Sequence, residues 1–586
     1  MLSTEAQRRT TPALKTIERI QNILNELNFS VQERHWESEF SHIYCVELWS
    51  EDFPSVGSGG KGVTRELARA SAYAELLERL QSGIALPERF GLSDVRLFPE
   101  SLGQSFLKTV SELPPDFRAH IIEPGQFPKD ASFQCAEYSR VSDGQTCFLP
   151  QEVINIVCDS NGIASGNTND EALCHAAFEL IERFVIQTIF DEGRALPRIE
   201  LDAVKELHAY FIIQEIQEQG FKVQILDASL GGRLPVVAVL ISHEKGIRYA
   251  FGADLSLDIC LQRCLTEAFQ GILDEDAFVP HCHEDAYLGP EFCSTSFAKS
   301  TLRSQFIGRN APRLFGRFLL GQGVSCHDRV FDSAVESPDV TWQKLKVLLQ
   351  AEFGDIYIQD LSRLGFPCWR VFAPTASPIH RDDRSLYPSI QCEFESMKVQ
   401  LFHLGKIDAK AAKHLAEKFE FYFRDSPDVL HDHPKAYLSL TGIRIIPDVE
   451  NTKWSLFFLL GHLYLAAGEL KKAARYFWLT INEKGGFKHP FHQTEMRCVI
   501  LFLQGLESEI PLVTLKNQLK DYFEWQLVQK VVTLYSNHGA AYRQRYFPCW
   551  TISDECPPQL EGPFEKYKKL SKRIEAYLRD AAVAEE

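Results

Sequence analysis

Glutamates three residues apart occur twice in this chain within nearly the same phrase, Ser71-Ala72-Tyr73-Ala74-Glu75-Leu76-Leu77-Glu78-Arg79 and His175-Ala176-Ala177-Phe178-Glu179-Leu180-Ile181-Glu182-Arg183. On an α-helix such positions lie roughly 60° apart around the axis, so each phrase points two carboxylates the same way. Neighbouring like charges cost about 0.2–0.5 kcal/mol on an exposed helix. Doing so twice calls for a compensating cation, and carboxylates gathered from both phrases would suit magnesium, a hard, oxygen-seeking ion. On the second helix Glu171 and His175 share an arc of about 80° with Glu179 and Glu182, and on the first Ser71 shares the face of Glu75 and Glu78. The competing reading is a pair of solvated surface contacts, Glu75 with Arg79 and Glu179 with Arg183. The Ala- and Leu-rich surroundings weigh against it, because they describe helices packed on several sides.

Ahead of the first phrase, Gly57-Ser58-Gly59-Gly60-Lys61-Gly62 reads as a loop feeding a helix capped by Thr64. Such a loop could cradle phosphate with its backbone N–H groups, Lys61 adding charge and the helix N-terminus a positive dipole end. It is not a Walker A loop, since Gly62 stands where that motif requires Ser or Thr, and alone it reads as a turn. Asp227-Ala228-Ser229-Leu230-Gly231-Gly232 also reads as a turn, and neither Gly-x-Ser-x-Gly nor His-Glu-x-x-His occurs.

The elements that must position these residues follow from periodicity and turn signals. A helix is expected from about Pro12 to Asn28, then strands at Ser30–Glu33 and His42–Leu48. Ala131–Pro150 reads as two strands joined at Ser142-Asp143-Gly144. Thr168 and Glu171 form a capping box that starts the second glutamate helix. Lys222–Asp227 and Leu234–Ile241 read as strands. Ser256 caps a third helix to about Asp274 carrying Arg263, Glu267 and Gln270, and the last strands fall at Asp355–Asp360 and Pro367–Phe372. Beyond about Tyr387 the chain reads as helical, placing a domain boundary near residue 390. There Phe457, Leu460, Gly461, Tyr464, Gly468, Ala473 and Phe477 have the spacing of one tetratricopeptide repeat, whose apolar face needs a neighbour or a partner subunit.

Composition bounds the function classes. The 586 residues allow two to four domains, and 45% hydrophobic with 24% charged residues is ordinary for a globular protein. A net charge of -17 argues against general affinity for nucleic-acid backbone. Without a long apolar run or a signal-like N-terminus, no membrane span is expected and the chain should be cytoplasmic. The 15 cysteines are scattered and expected to be reduced, and His281-Cys282-His283 lacks a second pair for zinc.

Taken together and in order, Gly60-Lys61-Gly62, Ser71-x3-Glu75-x2-Glu78-Arg79, Ser165-Gly166-Asn167-Thr168-x2-Glu171-Ala172 and Glu179-x2-Glu182-Arg183 resemble the YcaO family. Asp227–Gly232 and Arg263-x3-Glu267-x2-Gln270 add to the resemblance, which covers about residues 1–380. It implies an α+β, YcaO-type ATP-binding domain of mixed sheets and helices over residues 1–390, followed by an all-helical, tetratricopeptide-like domain over 391–586. It further implies ATP and Mg2+ as cofactors and ATP-dependent activation of a backbone amide. Residue by residue, Glu75, Glu78, Glu179 and Glu182 would hold magnesium. Ser71, Asn167 and Glu171 would contact the nucleotide, with Lys61 in the glycine loop and Arg9, Thr16, Arg183 and Arg263 around the phosphates.

Arg9 and Thr16 stand where a Lys and a Ser are found in the nearest branch, keeping charge and hydroxyl. The chain ends Ala581-Ala582-Val583-Ala584-Glu585-Glu586 and so lacks the proline-rich terminus of azoline-forming cyclodehydratases. That departure favours the branch acting as accessory to a radical methylthiotransferase in β-methylthiolation of an aspartate in a small-subunit ribosomal protein. The alternatives are a thioamide- or azoline-forming modifier of a peptide or protein substrate and a non-catalytic nucleotide-binding scaffold. Homodimerisation through the C-terminal region is expected, with no direct nucleic-acid or membrane partner.

Overall fold

In the computed structural model both glutamate phrases are helical, and a short strand between the two helices touches each of them. The structure describes residues 9–36, 40–53, 56–82, 106–121, 132–158, 160–243, 246–270, 323–332, 335–379, 404–423, 456–482, 490–546, 570 and 572–580. His281-Cys282-His283 lies outside the described residues. The chain divides into two compact units, one formed by Met1–Leu86, Leu97–Ser385 and Leu570–Glu586, the other by Pro87–Arg96 and Leu386–Lys569.

The first unit begins with α1 (Ala13–Glu26), whose Ile17, Ile20, Ile23 and Leu24 recur at helical spacing and are buried. An antiparallel sheet follows, β1 (Gln32–Trp36), β2 (Tyr44–Trp49) and β3 (Gly57–Gly62), in the order β1-β2-β3. Here the structure corrects the sequence reading, because the glycine-rich segment is a strand and not a phosphate loop. The reason is steric: α2 (Arg65–Ser82) lies directly on β3, and a Cβ at Gly60 would stand 2.1 Å from the Ala68 carbonyl oxygen. Glycine is needed for close approach rather than for a turn. Thr64 does cap α2, its hydroxyl accepting from the Leu67 N–H at 3.2 Å.

Next come β4 (Phe106–Thr109), α3 (Pro115–Ile121), β5 (Ser132–Arg140), β6 (Thr146–Pro150), α4 (Gln151–Cys158) and β7 (Ile163–Ser165). The long α5 (Asn169–Glu192) starts at the Thr168 cap and stops at Gly193, whose φ of 58° suits the left-handed end of a helix. Leu180, Ile181, Val185, Ile186 and Ile189 are all fully buried, since α5 is covered by β7, by the later strands and by another helix. Burying each such side chain contributes about 1.5–3 kcal/mol.

The remaining elements are β8 (Arg198–Ile199), α6 (His208–Glu218), β9 (Lys222–Asp227), β10 (Val236–His243), β11 (Gly246–Ala253), α7 (Leu257–Ala268), α8 (Pro338–Phe353), β12 (Tyr357–Asp360) and β13 (Cys368–Phe372). They complete a four-stranded sheet, β11-β10-β9-β8, and a six-stranded one, β4-β5-β12-β13-β7 with β6 on β5. Helix α7 ends at Ala268, short of the expected Asp274, and the residues after Gln270 lie outside those described. At the far terminus Arg573 donates to the Leu27 and Asn28 carbonyls at 3.1 and 2.8 Å, fastening that segment to the end of α1.

The second unit is helical among its described residues: α9 (Ala409–Phe423), α10 (Leu456–Ala466), α11 (Leu470–Asn482), α12 (Pro490–Glu507), α13 (Leu512–Lys520), α14 (Trp525–Tyr535) and α15 (Ala540–Tyr546). α10 and α11 meet where a Cβ on Gly461 would lie 2.5 Å from Phe477, and Tyr464 stacks on Tyr476 at 5.6 Å. The described cysteines carry free thiols. No described helix is long and apolar enough to cross a membrane.

Candidate functional site

Glu78 is the residue at which the charges of both phrases are felt. Burial is the largest influence on its carboxyl, the negative charges of Glu179 and Glu75 add to it, and together they push it well above the usual carboxylate range. The Ser165 N–H, donating to Glu78 Oε2 at 3.0 Å, and Arg79 pull the other way. Glu75 is bonded by Arg79, and Glu179 lies 3.8 Å from Arg183, so the i,i+4 pairs exist alongside that shared charge. Glu182 is 8% exposed on the same helix as Glu179. As these side chains are placed, no three His, Cys, Asp or Glu among the described residues stand close enough to hold an ion. The donor set nevertheless suits a hard dication, since a half-buried carboxyl under the negative charge of two more is an excess that a cation would relieve.

At the start of the same helix α5 lies a small open cleft of about 30 Å³, lined by Arg9, Glu171, Cys174, His175, Asp254, Ile259, Arg263 and Pro338. The start of α5 supplies its acid. Glu171 accepts from the Thr10 hydroxyl at 2.7 Å and the Asn167 amide at 3.1 Å, and Asn167 accepts in turn from the buried Thr16 hydroxyl at 2.7 Å. Burial alone would raise the Glu171 carboxyl, but His175, Thr10, Arg9 and Asn167 outweigh it and hold it below the usual range. The capping box is therefore half formed. The Glu171 N–H bonds the Thr168 hydroxyl at 3.2 Å while its carboxylate turns toward the cleft. Burial, with Arg263 and Arg9, lowers the His175 pKa to about 4 against the opposing pull of Glu171.

Arg9, Thr16, Asn167, Glu171 and Arg263 are thus brought together at the cleft or directly behind it. Lys61 is not among the lining residues. It sits on β3, and its ammonium is ion-paired with Glu267 of α7. Gln270 bonds the same strand, donating to the Gly59 carbonyl at 2.9 Å. Ser71 lies half-buried one turn before Glu75, and Arg183 stays with the carboxylates. Sequence reasoning gave no role to Thr10 or Asp254, although Thr10 two residues before Pro12 and Asp254 just before the Ser256 cap both mark element starts.

The family model described as YcaO cyclodehydratase, ATP- and Mg2+-binding, matches residues 59–377, more than half of the chain. This chain belongs to the YcaO family. ATP and Mg2+ are accordingly its cofactors, and YcaO proteins are ATP-dependent, amide-activating enzymes. The chain is 27% identical over 391 residues to the ribosomal protein S12 methylthiotransferase accessory factor YcaO of Escherichia coli, spanning 62% of this chain and 65% of that one, just under two thirds of its length. It is 26% identical over 501 residues to a protein of Haemophilus influenzae, covering 80% and 81% of the two chains. Among solved structures it is similar to YcaO from Methanopyrus kandleri bound with AMPPCP and Mg2+, at 18% identity and a TM-score of 0.42 over 63% of this chain and 92% of that one.

Proposed function

We propose that this YcaO protein hydrolyses ATP as an accessory factor for β-methylthiolation of an aspartate in ribosomal protein S12, working with a radical methylthiotransferase. The observation that supports its ATP chemistry is the cleft lined by Arg9, Arg263 and Glu171, on the same helix as Glu179 and Glu182, whose phrase shares its negative charge with Glu78. Similarity to the Escherichia coli accessory factor supports the choice of substrate. Glu75, Glu78, Glu179 and Glu182 would hold magnesium, and ATP would supply the phosphoryl group that makes an amide oxygen a leaving group. Arg9 and Arg263 neutralise phosphate charge in the cleft, and Arg183 balances the carboxylates. Ser71, Asn167 and Glu171 orient the nucleotide, Thr16 holding Asn167 from behind. In phosphoryl transfer, positioning and charge neutralisation supply most of the catalysis, which suits a site of fixed charges.

The family description as a cyclodehydratase favours one second reading, thioamide or azoline formation on a peptide or protein substrate. Mass spectrometry of S12 from a strain lacking this gene separates the two. Lowered methylthiolation supports the accessory role, whereas full modification under several growth conditions rejects it and favours peptide modification. The helical unit is proposed as a tetratricopeptide-like surface for a homodimer or for partner docking.

A further inference from the structure

The nucleotide cleft and the carboxylate cluster share one peptide residue. β7 is an edge strand, paired on one side with β13, and Gly166 N–H bonds inward to the Pro367 carbonyl at 3.1 Å. Backbone groups alternate direction along a strand, so Ser165 between them turns its N–H and C=O outward from the sheet edge, where buried groups need partners. The N–H donates to Glu78 Oε2 at 3.0 Å, and the C=O lies 3.2 Å from His175 Nδ1. A carbonyl can only accept, so Nδ1 carries the proton and Nε2 is the acceptor in the neutral ring. Gly166, the next residue, lies close against the first turn of α5, where a Cβ would come 2.5 Å from the Ala172 nitrogen.

We propose that His175 is a positioning residue for the magnesium carboxylates: by holding the Ser165 carbonyl it aims the Ser165 N–H at Glu78 and couples the filling of the cleft to the cation site. The role rests on the ATP and magnesium reading of the site, and it goes beyond that reading by giving a task to a residue that neither phrase of glutamates needs. His175 itself lines the cleft, one helical turn from Glu171. A nucleotide pressing on the ring is therefore transmitted through a hydrogen bond to Ser165 and through the same residue to Glu78.

His175→Ala removes the donor, and His175→Asn returns an N–H near the position of Nδ1. Two measurements on the full-length protein test the coupling. In the first, amide hydrogen exchange of a peptide spanning Ser165 is followed without nucleotide. Protection in the wild type, at least about tenfold faster exchange in His175→Ala and restored protection in His175→Asn support it. In the second, ATP hydrolysis is titrated with MgCl2. The half-saturating Mg2+ should rise about tenfold or more in His175→Ala and return in His175→Asn. Equal behaviour of the two variants in hydrogen exchange overturns the inference, whether both match the wild type or both lose protection. A wild type that exchanges as predicted but neither binds nor hydrolyses ATP overturns the proposed function and leaves the His175–Ser165–Glu78 chain standing.

Discussion

Thr16, placed around the phosphates by resemblance, is tied in this structure to Asn167, which bonds Glu171 in turn. Its side chain is 2% exposed, and its hydroxyl is spent on Asn167 at 2.7 Å. Thr16→Val should strand the Asn167 carbonyl oxygen at a cost of about 1–3 kcal/mol and weaken ATP binding, while Thr16→Ser keeps both. Equilibrium ATP titration of the two variants checks this, and equal affinities would mean that the hydroxyl does not matter. At this scale the acids were legible in sequence because a helix turns spacing directly into direction. The partners were not, since Thr10, Ser165 and Asp254 reach the site through folding that brings distant segments together, as with Thr10 and Glu171, 161 residues apart.

At the scale of elements, composition misled where geometry decided. Five residues of Gly57–Gly62 are small or flexible enough to suggest a loop, yet the segment pairs along its whole length with β2, from Gly57 opposite Trp49 to Gly62 opposite Tyr44. The packing of α2 on that strand explains Gly60 and Gly62, and one sequence does not display which helix will cover which strand. Gly60→Ala should destabilise the first unit by about 1–3 kcal/mol or more, because the new methyl meets backbone at 2.1 and 2.3 Å. Gly59→Ala meets only the end of Gln270 at 3.0 Å and should cost distinctly less. Urea midpoints of the two variants decide the point, and a Gly60→Ala as stable as Gly59→Ala would contradict the close-packing explanation. Strand β9 and helix α1, by contrast, were legible almost to the residue, because apolar periodicity and flanking Pro or Gly coincide there.

At the scale of the whole molecule the two units differ in what stabilises them. In the helical unit His462 is wholly buried, stacked on Tyr542 at 4.4 Å and edge-on to Phe458 at 4.6 Å, and burial with the nearby Arg543 pushes its pKa well below the usual value. Its folded pKa being depressed, the unfolded chain takes up a proton below about pH 6.5 that the folded one refuses. Stability should fall by up to about 1.4 kcal/mol per pH unit below that point, and His462→Phe should flatten this slope. Hydrogen exchange of α10 between pH 7 and 5, corrected for intrinsic rates, would show it, and an unchanged slope in the variant would contradict it. The helical character of this region was legible from its pattern, whereas the return of Leu570–Glu586 to the first unit was not, since its anchors are the backbone carbonyls of Leu27 and Asn28.

The central claim is that one cation site is built from both glutamate phrases. Phosphate release from ATP, titrated with MgCl2, tests it in the wild type and in Glu75→Ala and Glu182→Ala, one variant from each helix. Turnover by the wild type should require Mg2+, and each variant should lose about 100-fold or more while keeping its circular dichroism spectrum. Unchanged turnover in both variants would show the glutamates to be surface partners of Arg79 and Arg183 and would contradict the account.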